Sequence, residues 1–135
     1  LQLAEETYKR NQWPDNEVEF IQADVFEYLH DAVEHGEQYD IVICDPPKFA
    51  HNKQQINSAS RGYKDLNLNA FKIIKPGGYL MTFSCSGAIS PDLFQKIVFG
   101  ALADSGRQAQ ILRHLGPGDD QVQVGAVAQS GVDMV

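Results

Sequence analysis

Tryptophan occurs once in this chain of 135 residues and cysteine twice, at Cys44 and Cys85. Two cysteines without metal-type spacing argue against a zinc ribbon, and their strand-like, cytosolic-looking contexts argue against a disulfide scaffold. His30, His35, His51 and His114 also lack ligand spacing, so no metal is expected and the four are assigned to surface or loops. Long apolar runs are missing as well. None approaches the roughly 18 residues of a membrane span, and no secretory pattern opens the chain. A cytoplasmic protein with no membrane partner is expected. Positive charge is scarce, with 11 Lys and Arg against 18 Asp and Glu and a formal net charge of −7. That deficit argues against a free-standing nucleic-acid binder, because neutralising phosphates demands clustered Lys and Arg. An enzyme meeting RNA through one local patch, or through another domain, stays open.

What is present is ordinary globular material, 43% hydrophobic and 21% charged, long enough for one core. The chain opens without an N-cap, as though inside a helix, and Leu1, Ala4, Thr7 and Tyr8 fall near one helical face. A turn is predicted at Pro14-Asp15-Asn16 and a strand over 18–21, with Asp24 at its end. Val25, Phe26, Leu29 and Val33 share a helical face that Gly36 stops. The β-branched run at 39–44 lacks alternation, which predicts a strand buried on both faces of a parallel sheet. Residues 50–60 are polar and aperiodic and predict a mobile loop. A helix follows over 62–75, ending before Pro76-Gly77-Gly78, and then a second buried strand over 79–84. Ser90 is a natural N-cap, and Pro91 takes a favoured first-turn position of a helix running to Gly106. A strand is predicted over 109–115 and a weak one over 122–127, in a Gly- and Gln-rich tail.

Strands alternating with helices imply an α/β fold with an open parallel sheet and right-handed crossovers. Ligands of such sheets bind beyond the carboxyl ends of the strands. Asp24, Asp45 and Ser84-Cys85-Ser86 all fall there, and they form one candidate site.

Each of these residues admits a plain structural role beside the chemical one. Asp45-Pro46-Pro47 is either a turn or a stiff segment that holds a carboxylate and neighbouring carbonyls against a planar, amide-bearing ring. Phe49 is either a core aromatic or a stacking surface for a base. Cys85, flanked by Ser84, Ser86 and Gly87, has an open backbone suited to a reactive thiolate, whereas Cys44 lies inside the apolar run and fits an inert buried thiol. Asp24 is either an N-cap or an acceptor for an adenine amino group. Arg61, Lys64 and Lys53 form the local basic cluster, either solvated or gripping phosphate.

Taken together, Asp45-Pro46-Pro47-Lys48-Phe49, Arg61-Gly62-Tyr63-Lys64-Asp65-Leu66-Asn67 and Thr82-Phe83-Ser84-Cys85-Ser86 resemble, in order and spacing, the bacterial large-subunit ribosomal RNA (cytosine-5)-methyltransferases. Asp92-Leu93-Phe94-Gln95-Lys96-Ile97 and Asp104-Ser105-Gly106-Arg107 resemble them too, so the likeness covers about residues 1–115. It implies a Rossmann-like class I methyltransferase fold in which 1–135 is the C-terminal part of the catalytic domain, the N-terminal strands of the sheet being missing. It also implies S-adenosyl-L-methionine as cofactor, held by Asp24, Asp45 and Pro46, and ribosomal RNA as partner. Cys85 and Asp45 would be catalytic. Pro47, Lys48, Phe49, Arg61, Lys64, Ser84 and Ser86 would bind substrate. The family's glycine-rich donor loop lies upstream of Leu1, so this segment alone is expected to bind the donor weakly and to be inactive. The tail from about 116 to 135 diverges from the family. Two other readings are an N-methyltransferase using the Asp-Pro-Pro element and a non-catalytic fold remnant or interaction module. Bared sheet surface leads us to expect self-association.

Overall fold

Short polar side chains fix where the helices begin. The Asp24 carboxylate accepts the N–H groups of Phe26 and Glu27 at 2.9 and 3.2 Å, which starts a helix at Val25. The Ser90 hydroxyl accepts Leu93 N–H at 3.1 Å ahead of Pro91, and Gly106, at φ +70°, ends that helix. Both pairs satisfy backbone groups that a helix end leaves bare. The computed structural model describes residues 1–116 and the backbone of 124–130. In order they form α1 (Gln2–Arg10), α2 (Val25–Glu34), β1 (Tyr39–Cys44), a 3-10 turn (Lys53–Gln55), α3 (Ile56–Ile73), β2 (Ile74–Ser84), α4 (Pro91–Ser105), β3 (Ala109–Leu115) and β4 (Val124–Ser130).

The sheet has the order β1-β2-β4-β3. β1 and β2 are parallel neighbours, as a strand–helix–strand unit requires. β4 runs antiparallel between β2 and β3, so the sheet is mixed and not wholly parallel as predicted. β4 thus pairs with β2 on one side and with β3 on the other, antiparallel to both. The predicted weak strand corresponds to β4 from Val124 onward. Its first two residues, and the divergent tail segments at 119–123 and 131–135, lie outside the described residues.

Three further expectations are corrected. Residues 18–21 form no strand; no described strand lies beside them to share a ladder, and Phe20 instead sets its ring edge-on to Tyr8, centroids 5.8 Å apart. The predicted loop over 50–60 is mostly ordered helix. Asn52 accepts Gln54 N–H at 3.0 Å, and Ile56 and Ala59 extend the inward face of Tyr63, Leu66, Ala70 and Ile73 by two steps. Exposed Asn57 and Ser58 hid that periodicity. Pro76-Gly77-Gly78 does not precede β2 but bulges within it. The step from Tyr39 to Ile41 in β1 stands opposite the longer step from Ile74 to Tyr79 in β2. Gly78 is required there: a Cβ would lie 2.7 Å from the Asp40 carbonyl oxygen and 2.9 Å from that of Lys75.

The core lies on one face of the sheet, beneath α2, α3 and α4. Val42, Cys44, Leu80, Thr82 and Ser84 point into it, and the Arg107 guanidinium donates to the carbonyls of Phe71 and Ile74 where α3 hands over to β2. The other face of β1 is open, with Ile41 58% and Ile43 63% exposed. The strand predicted to be buried on both faces is therefore covered on one.

Candidate active site

Because β1 and β2 are parallel and Cys44 stands opposite Thr82, the segments that follow them leave the sheet at one edge. Asp45-Pro46-Pro47 and Ser84-Cys85-Ser86 are thus neighbours by topology. Prolines donate no backbone hydrogen bond, so the first segment presents carbonyls without competing N–H groups. Cys85 is half-buried, and its thiol donates to the Pro46 carbonyl at a long 3.8 Å. Asp45, Pro47 and Lys48 are exposed at the same edge.

The two serines beside Cys85 are buried and bonded within the protein. Ser84 Oγ accepts Ser86 N–H at 3.3 Å. Ser86 Oγ accepts Ala50 N–H at 3.2 Å and shares a hydrogen bond with the Tyr63 hydroxyl at 2.9 Å. The Ser86 carbonyl accepts Ile89 N–H at 3.0 Å. Any part these serines take in substrate binding is exerted through the position of Cys85. Tyr63, fully buried in α3, fell within the predicted helix and the Arg61–Asn67 motif and was given no site role from the sequence. The signal that marks it is physical: a buried phenol needs a polar partner, and here the partner is the loop carrying Cys85. Its ring lies 4.6 Å from that of Phe49 and 5.7 Å from that of Phe94, centroid to centroid. Phe49 also meets Phe26 at 6.0 Å, so it is half-buried in an aromatic row and not a bare platform.

The remaining predicted residues are less closely gathered. Asp24 is exposed and caps α2, its Oδ1 taking both helix N–H bonds. The Lys64 ammonium pairs with Asp104 across α3 and α4 at 2.8 Å, away from Arg61, which is exposed and reaches only the Asn57 carbonyl at 3.5 Å. Lys53 is exposed on the 3-10 turn. His30 faces the Asp65 carboxylate at 3.3 Å, and His35 meets the Asp31 carbonyl at 2.7 Å. An open, largely apolar groove lies beside β1, lined among others by Val25, Tyr28, Ile41, Ile43, Asp45 and Pro46. A separate cavity beneath α4, walled by Phe71, Thr82, Phe94 and Ile111, touches none of the predicted site residues.

Cys44 behaves as an interior group. It is 6% exposed, and burial pushes its thiol from 9.0 up to about 12. Folding thus favours the neutral thiol. That contribution is whole below about pH 9 and is lost as pH rises toward 12. Urea unfolding across this window is expected to show Cys44→Ala flattening the alkaline fall in stability by roughly 4 kcal/mol at most. An identical pH slope in the two proteins would refute it.

The chain is 45% identical over 131 residues to the Ribosomal RNA large subunit methyltransferase I of Shewanella amazonensis, covering 97% of this chain and 33% of that protein. The protein of the same name from Salmonella paratyphi B is 47% identical over 112 residues, covering 83% of this chain and 28% of its own length. The chain therefore spans about a third of the length of the curated relatives it matches. No family model matches it. Among solved structures, a methyltransferase complexed with SAH superposes with a TM-score of 0.80 at 21% identity, covering 95% of this chain and 36% of that one. The architecture is accordingly part of a Rossmann-like class I methyltransferase fold, in a chain similar in sequence to large-subunit ribosomal RNA methyltransferases.

Proposed function

We propose that residues 1–135 are the C-terminal part of the catalytic domain of an enzyme that methylates C5 of a cytosine in large-subunit ribosomal RNA, using S-adenosyl-L-methionine. The observation that carries this reading is the half-buried Cys85 thiol beside the Asp45-Pro46 segment, where two parallel strands end. C5 of cytosine is a poor nucleophile until something adds to C6, and a thiolate is suited to that addition. Methylation of an exocyclic nitrogen needs no such group. A cysteine at this position therefore favours carbon over nitrogen.

The residues present suit the donor. The groove beside β1 is largely apolar, and Asp45 and Pro46 line it together with Val25. Asp24, next to Val25 in sequence, uses Oδ1 for its helix cap and would offer Oδ2 to an adenine amino proton. Asp24, Asp45 and Pro46 would hold S-adenosyl-L-methionine there. When bound, it supplies an electrophilic methyl group.

The protein's own groups carry the rest. Once its thiol proton has passed to solvent, Cys85 Sγ bonds to C6 as the thiolate, and the electrons of the C5–C6 double bond move toward N3 and C5. Asp45 holds a proton at N3 and stabilises that charge. C5 would then take the methyl group as the donor's S–CH3 bond breaks with its electron pair left on sulfur, and the N3 proton would return to Asp45. Transfer of the C5 proton to water leaves its electron pair to re-form the C5–C6 double bond as the Cys85–C6 bond breaks, releasing the thiolate. The base must leave its stack to be reached; Pro47 and Phe49 would flank it, and Lys48 and Arg61 would meet phosphate. Lys64 joins them only on leaving Asp104. Ser84 and Ser86 hold the nucleophile.

The test uses the full-length protein with S-adenosyl-L-methionine and ribosomal RNA transcripts carrying 5-fluorocytidine. Fluorine cannot leave as a proton does, so a covalent protein–RNA adduct through Cys85 is expected on denaturing gels. Methyl transfer to an exocyclic amine without any adduct would establish the nitrogen reading instead.

A further inference from the structure

We infer that Tyr63, acting through Ser86, is a positioning residue that sets where the Cys85 thiol stands; this rests on the reading of Cys85 as the nucleophile. Cys85 is held in a closed ring of contacts. Its thiol reaches the Pro46 carbonyl. Four residues further along that loop, Ala50 N–H returns to Ser86 Oγ, next to Cys85 in sequence. Every polar atom of Ser86 is engaged: N–H with Ser84, carbonyl with Ile89, and Oγ with Ala50 and Tyr63.

Tyr63 closes the ring from below. Its hydroxyl holds the loop after β2 through Ser86, and its ring packs on Phe49 of the loop after β1. One side chain, fixed in the 18-residue helix α3, therefore sets the spacing of the two segments that meet at the site. Such an arrangement suits attack on a base, where a displacement of about 1 Å costs on the order of a hundredfold in rate.

Loosening the ring should then place Cys85 worse for attack on a base, which needs a fixed geometry, whereas a small diffusing reagent needs none. Reactivity toward RNA should fall and reactivity toward the small reagent should not. A residue serving stability alone would not produce that split.

Tyr63→Phe keeps the ring and its packing and removes only the hydroxyl. In the full-length protein, the rate of Cys85 alkylation by iodoacetamide, followed by peptide mass spectrometry, is expected to stay at or above the parent's. Adduct formation with 5-fluorocytidine RNA should fall at least about tenfold. Ser86→Ala should behave the same way. Cys44 is the internal control, because its alkylation rises only if the whole domain opens. An undiminished adduct rate, a Cys85 alkylation rate falling in step with the adduct rate, or Cys44 reacting in parallel would each overturn the positioning role. Should Cys85→Ala still methylate cytosine, the nucleophile assignment falls; should methylation need Cys85 and Tyr63→Phe leave the adduct rate unchanged, only the positioning role falls.

Discussion

On the proposed covalent mechanism, Cys85→Ala in the full-length protein is expected to lower cytosine C5 methylation by about 10⁴-fold or more and to abolish the 5-fluorocytidine adduct. Removing a nucleophile leaves only the contributions of proximity and electrostatics, which cannot make C5 reactive without addition at C6. The loss should appear in kcat with little change in donor affinity, since Cys85 does not line the groove beside β1. Folding should be nearly untouched. The side chain is half-buried, its one polar contact is a weak 3.8 Å bond, and the serines on either side keep their own partners. Cys44→Ala supplies the contrast, because that thiol faces the core and is held neutral by burial. A Cys85→Ala enzyme methylating C5 within tenfold of the parent rate would remove the covalent step.

The two cysteines also show how far the sequence speaks. Cys44 sits in a continuous apolar run, and its interior fate was readable from that alone. Cys85 sits among small polar residues and reads as accessible, and in the structure it is half-buried. The sequence hid the depth of the serines around it. Ser84 and Ser86 look like residues offered to a ligand, because composition cannot reveal that their hydroxyls are committed to backbone N–H groups 2 and 36 positions away. Lys64 shows the same limit: it lies near Arg61 along the chain, and a helix turns it toward Asp104.

The elements divide similarly. α2 and α4 were legible because their caps are local chemistry, Asp24 and Ser90 satisfying N–H groups within three residues. The start of α3 was not, because its first turns show polar residues outward and only Ile56 and Ala59 inward. β1 is the most instructive case. Its unbroken apolar run correctly marks a strand, but periodicity records what each face can bury, not whether a neighbour covers it. Ile41 and Ile43 remain open. β4 was difficult for the opposite reason, being glycine- and alanine-rich and drawn into the sheet by its pairing with β2 and β3.

Tyr63→Ala is expected to cost about 3–5 kcal/mol of folding free energy, the range for deleting a large buried aromatic. A domain of this size has a total stability of about 5–15 kcal/mol, so the variant would lose a third or more in most of that range. Tyr63 is completely buried and stands between Phe49 and Phe94, with ring contacts to both. Truncation therefore opens a void between the loop after β1 and helix α4, bounded by rigid helices that cannot close on it. It also removes the phenol from Ser86, which keeps only Ala50 N–H on its Oγ. Urea unfolding should show the midpoint falling with the m-value unchanged. Tyr63→Phe, which retains the ring, should lose only about 1 kcal/mol. The gap between the two variants measures packing, and the smaller loss measures the hydroxyl. A Tyr63→Ala cost under about 1 kcal/mol would mean that the aromatic row repacks freely. The row would then be too compliant to hold Cys85 against Pro46, and the positional argument would fail with it. A cost in the expected range makes the same side chain responsible both for the core beneath the site and for the geometry at its rim.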